Sequence, residues 1–133
     1  MEEVITNVNW LAVIVGAVLS YALGALWYSQ KMFGKKWLVA SRITVDEQGM
    51  PADKSGMMKS MFAQAFGTFL YAWVIGITAK NDMLITAILI IFAIATLIKA
   101  NGLFAGKGMY AVVVETTFII AMGVVMIATH AVL

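Results

Sequence analysis

Apolar residues fall in four long runs along this chain, and polar residues gather in the gaps between them. The runs are 9–28, 57–79, 83–104 and 109–133. A helix of about 20 apolar residues crosses the hydrocarbon core of a bilayer, so each run predicts a transmembrane helix. The first run carries no charge, the second has Lys59 near its start and Lys80 just past its end, and the third has Lys99 near its end. Lys80-Asn81-Asp82 separates the second run from the third, and Asn101-Gly102 through Gly108 separates the third from the fourth. Connections this short turn the chain straight back, which makes sequential helices antiparallel neighbours. The pattern predicts an all-α, polytopic transmembrane bundle of four helices, a single integral membrane domain over residues 1–133.

The remaining gap, about 29–56, is the longest and the most basic. Lys31, Lys35, Lys36, Arg42, Lys54 and Lys59 lie in or beside it, and Lys99 and Lys107 flank the last connection. With four spans these cations share one side of the membrane, and Lys80 falls on the other. Lys and Arg accumulate on the cytoplasmic side, so both termini are expected outside and the 29–56 loop in the cytoplasm. Trp10 and the pair Trp27-Tyr28 bracket the first span, about 26 Å apart along a helix, and with Trp37 they read as interfacial anchors. Lys31 through Val39 mixes cations with large apolar groups. Such a segment can lie in the interface, with Phe33, Trp37 and Leu38 inserted and Lys31, Lys35 and Lys36 among anionic lipid head groups. Thr44-x-x-Glu47 fits a helix capping box, although Gly49 and Pro51 would stop a helix there after about one turn.

Composition narrows the classes further. Of the 133 residues 62% are hydrophobic and 12% charged, where a soluble domain carries about 25% charged residues. Mean hydropathy is +0.93. Without Cys there is no disulfide, thiolate metal site or Cys nucleophile. A net charge of +2 gives no reason to expect nucleic-acid binding. The first span is expected to be retained rather than cleaved as a signal peptide: Met1-Glu2-Glu3 is acidic where a signal peptide is basic, and the apolar run is too long.

Glu115 is the one acid within the fourth run. A carboxylate at that depth costs about 2.5–3.5 kcal/mol on insertion scales, so it needs a partner or a purpose. Lys107 sits at the preceding turn, with Lys99 eight residues before it and Glu115 eight after. In a hairpin centred there, Lys99 and Glu115 reach similar depth, about 12 Å from the turn. A Lys99–Glu115 ion pair is the structural expectation; Lys99 can instead snorkel to head groups. Gln64, Tyr21 and Ser20 fall near the same level. Together these side chains form either interhelical hydrogen-bond glue or a proton or cation site in which Glu115 titrates.

In the first span Ala12, Gly16, Ser20 and Gly24 repeat at four-residue spacing, and Thr68, Ala72 and Gly76 do so in the second. Small residues at that spacing let helix backbones approach closely. The two stripes fit either internal packing of the first two spans or a homo-oligomer interface. A shift of 72 residues aligns Asn9 with Asn81, Gly34 with Gly106 and Lys35 with Lys107, too few identities to establish a repeat. His130 lies near the outer end of the fourth span, where a lone His is usually interfacial. Nothing beside it has metal-ligand spacing. Gly106-Lys107-Gly108 is too short and misplaced for phosphate binding. No catalytic residue, cofactor or metal ligand is expected, and the chain does not read as an enzyme.

Asn9-Trp10, Val13, Gly24-Ala25-Leu26-Trp27-Tyr28-Ser29, Phe33-Gly34-Lys35 and Trp37 resemble the signature of a bacterial family catalogued as domain of unknown function 1761. Its members are small four-span proteins that open on Asn-Trp, then Gly-x-Leu-Trp-Tyr-Ser, then Phe-Gly-Lys-x-Trp. The match is dense over about 9–37; beyond that only Met122-Gly123 echoes it. The resemblance implies a multi-pass protein of the bacterial inner (cytoplasmic) membrane and no particular activity. Two functions remain: a non-enzymatic structural, accessory or oligomer-forming membrane subunit, or a small oligomeric transporter or channel with a proton- or cation-linked site at Glu115.

Overall fold

The computed structural model describes residues 5–133, so the acidic Met1-Glu2-Glu3 segment lies outside the described residues. The helices are α1 (Trp10–Trp27), α2 (Gly34–Ala40), α3 (Lys54–Lys80), α4 (Leu84–Phe104) and α5 (Met109–Val132). α1, α3, α4 and α5 are each long and apolar enough to cross a membrane. Local chemistry sets their ends. The Asn9 side chain accepts from the Ala12 N–H at 3.2 Å and starts α1. Asp53 accepts from the Gly56 N–H at 2.9 Å and starts α3 slightly ahead of its apolar run. The Thr44–Glu47 capping box does not form. Instead Asp46 accepts from the backbone N–H groups of Gln48 and Met50 and from Lys54, closing a tight loop through Gly49 at φ +79°. These bonds hold the exposed Asp46 carboxyl below its usual range, the Lys54 contact being the largest cause.

α5 is the spine of the bundle and touches every other helix. Its small residues make this possible. A Cβ on Gly123 would strike Ile91 of α4 and the Tyr71 hydroxyl of α3. On α1, Ala12, Gly16 and Ser20 are buried. Gly16 faces Met126 and Thr129, and Gly24 faces the Phe118 ring. The α1 stripe is therefore spent inside the bundle, with α5 as the partner of its glycines. On α3, Gly76 admits Val13 of α1 and His130 of α5. The Tyr71 hydroxyl donates to the Ile119 carbonyl at 3.0 Å, a polar tie from α3 to α5.

A dry core of Val13, Ile75, Ile91, Phe118, Met122 and Met126 results. Outside it the surface is apolar: the buried share of each span's most hydrophobic stretch is only 17–39%. That surface suits lipid, since soluble proteins rarely leave large contiguous apolar patches exposed. At one end of the bundle Asn7 of the N-terminal segment reaches Asn81 in the α3–α4 turn at 3.4 Å. At the other the Gly108 N–H, in the α4–α5 turn, donates to the Ala40 carbonyl of α2 at 2.7 Å. The second end carries the cations of the long loop together with Lys107.

Candidate functional site

Glu115 lies two turns into α5, at the basic end. Its Oε2 accepts from Lys107 Nζ at 2.7 Å and from Trp37 Nε1 at 2.8 Å. The Glu115 side chain is 15% exposed and that of Lys107 30%, so the protein covers most of the pair. Lys99, the partner expected from hairpin symmetry, stays exposed on α4. Depth alone did not decide the pairing. Lys107 precedes α5 in the turn, and its long side chain folds back along the helix that carries the carboxylate.

The position of Trp37 follows from how the chain leaves α1. Tyr28 caps α1, and the Phe33 and Gly34 N–H groups donate back to the Trp27 and Ser29 carbonyls at 3.2 and 2.9 Å. Gly34 is pressed so closely under the Tyr28 and Ser29 carbonyls that any Cβ would overlap them. From this turn α2 runs across the foot of the bundle with Leu38 buried. Trp37 meets the Tyr28 ring edge-on at 4.8 Å, and Tyr28 meets Phe118 edge-on at 5.3 Å. Trp27 packs on Phe33 at 5.0 Å and on Phe118 at 5.8 Å, and its Nε1 donates to the Val114 carbonyl at 3.2 Å. Trp27, Phe33, Trp37 and Leu38 thus close over α5, with Leu38 buried and the three aromatic rings half-buried. Lys35 and Lys36 point outward, with Lys36 Nζ 5.9 Å from the centre of the Tyr110 ring.

The remaining side chains of the expected polar layer do not converge on Glu115. Gln64 is exposed on α3 and donates to Thr68 Oγ1 of its own helix at 3.4 Å. The Tyr21 hydroxyl donates to the Met61 carbonyl at 3.4 Å. Ser20 is fully buried in the α1 packing face. Trp10, expected as an outer anchor, packs on Trp73 at 5.2 Å and donates to the Ile5 carbonyl at 2.7 Å. His130 is half-buried: its ring edge lies beside Gly76 of α3 and near Val13 of α1, with Nε2 enclosed. Among the described residues no group of three His, Cys, Asp or Glu side chains is placed to hold a metal. The sequence reading missed Trp37 and Lys107 as donors. The available signal was Lys107 itself, two helical turns ahead of Glu115.

The chain matches, over residues 11–130, the family described as protein of unknown function (DUF1761), and it belongs to that family. No curated protein and no solved structure matches it.

Proposed function

We propose that this member of the DUF1761 family is a non-enzymatic integral membrane protein, a structural or accessory subunit rather than a transporter or channel. One observation carries the reading. The only acid within the spans is neutralised on the spot by Lys107 and further bound by an indole N–H. A carrier carboxylate has to exchange partners with a proton or cation along a wet path. Here both donors converge on one oxygen, and the layer that would continue a path is dispersed over α1, α3 and α4. Removing one member of such a pair leaves an uncompensated charge, which fits a role in fixing α2 and the α4–α5 turn onto α5. The outward Lys31, Lys35 and Lys36 suit contact with anionic head groups, each worth about 1 kcal/mol near such a surface.

Reconstitution into liposomes tests the proposal. Proton and monovalent-cation flux in proteoliposomes should equal that of protein-free liposomes, for wild type and for Glu115→Gln alike. Flux above that background that disappears in Glu115→Gln would overturn it.

A further inference from the structure

His130 carries a polar atom that the bundle leaves unsatisfied. It stands in the last turn of α5, at the end of the bundle opposite the long loop. Its ring is hydrogen-bonded to the Ala72 carbonyl of α3, while Nε2 is enclosed and has no partner. Nδ1–H is therefore the donor, and the neutral ring keeps its lone pair on Nε2. Ala72 and Gly76 lie one turn apart on α3, so the absent side chain of Gly76 is what lets the ring reach that carbonyl. A Cβ on Gly76 would stand 3.1 Å from Cε1, 3.2 Å from Nε2 and 2.8 Å from a methyl of Val13 on α1. The Nε2 edge thus abuts helix backbone and a methyl group. An enclosed lone pair is tolerable there; an enclosed N–H of an imidazolium is a buried charge, which is costly unless it is paired.

Among the described residues nothing is placed to pair it. α1 has no charged side chain. At this end α3 offers only Lys80, an exposed cation that would repel an imidazolium. The one acid of α5 is Glu115, about 22 Å back along the helix and held by Lys107. Asp82 of the α3–α4 turn and Leu133, with the terminal carboxylate, are exposed. The negative end of the α5 dipole favours a cation in the last turn, yet Nε2 has no carbonyl of that helix as a partner. We infer that His130 is an acid-sensitive latch: the neutral ring holds α1, α3 and α5 together at this end, and protonation on Nε2 parts α1 from α5 so that the charge reaches water. An ordinary imidazole takes up its proton near pH 6.5. The closed junction therefore contributes its stability above that pH and loses it as the pH falls below.

His130 is the single histidine, so selective nitrogen-15 labelling reports on it alone. In lipid nanodiscs at about pH 7.5 the NMR signals should show a protonated Nδ1 and a bare Nε2. The chain has no cysteine, so a pair of nitroxide labels can be placed at Leu11→Cys on α1 and Val132→Cys on α5, both exposed positions. The distance between the labels should lengthen and broaden between about pH 7.5 and about pH 5, the window in which imidazole is the side chain that ordinarily changes charge. It should return on neutralisation. With His130→Asn added, which offers an amide to the Ala72 carbonyl but does not titrate, the distance should ignore pH. A wild-type distance that stays fixed across the window would overturn the inference. So would a lengthening that persists in His130→Asn, or an imidazolium signal that grows while the distance holds. If His130→Asn does not fold, the wild type alone decides, because its imidazolium signal and its long-distance population must rise together. Flux at neutral pH is a separate readout, so a junction that ignores acid would leave the proposed function standing.

Discussion

Replacing Glu115 with Gln removes the charge that Lys107 meets at 2.7 Å but keeps an oxygen for the Trp37 indole. The ammonium is then left largely covered and without its counter-ion. Breaking one side of a buried pair costs about 3–5 kcal/mol, whereas removing both sides together is often neutral. Lys107 is nearly a third exposed, so solvent should screen the pair and reduce that cost to about 1–2 kcal/mol. Lys107→Met alone should destabilise for the mirror reason, by leaving the carboxylate with the indole as its one remaining donor. The double variant Glu115→Gln/Lys107→Met should recover part of the loss. Melting in detergent across this double-mutant cycle gives the coupling directly. Strictly additive effects would show that the two side chains do not act as a pair.

At the scale of the element, α2 depends on two residues of different kinds. Gly34 permits the turn because it has no Cβ to strike the Tyr28 carbonyl. Trp37 locks the result through its N–H and its ring. Trp37→Phe keeps most of the ring packing and removes the donor to Glu115, and should cost about 1–2 kcal/mol. Gly34→Ala forces the turn apart, so the loss should be nearer 3 kcal/mol. In both variants hydrogen exchange should quicken in α2 before it does in α3 or α5, because α2 is the short, peripheral unit. Uniform loss of protection would mean that α2 unfolds only with the whole bundle. This is also where sequence reading stops. The four spans were legible because a run of apolar residues has few other fates at that length. α2 was not, because a short basic segment with Phe33, Trp37 and Leu38 has the same pattern whether it covers lipid or protein. What decides between them is the long-range meeting of Trp37 with Glu115, 78 residues apart, for which local pattern holds no signal. The Lys107 pairing was hidden for a different reason: hairpin symmetry fixes the depth of a backbone position, not the reach of a lysine side chain.

Over the whole molecule, the two ends of the bundle differ in charge. One end holds α2, the 44–53 loop and the α4–α5 turn, with Lys31, Lys35, Lys36, Arg42, Lys54 and Lys107. The other holds the Asn7–Asn81 contact, and Lys80 is its cation. Moving a short, Lys-rich loop across a membrane is opposed, so the basic end should stay in the cytoplasm. Ser55 is exposed at the start of α3 on the basic end, and Asn81 is exposed in the turn at the opposite end. A single Asn81→Cys should react with a membrane-impermeant maleimide in intact cells, whereas Ser55→Cys should react only after permeabilisation. The reverse labelling would turn the protein over and place Lys31, Lys35 and Lys36 on the outer surface. Labelling of both sites in intact cells would mean mixed insertion.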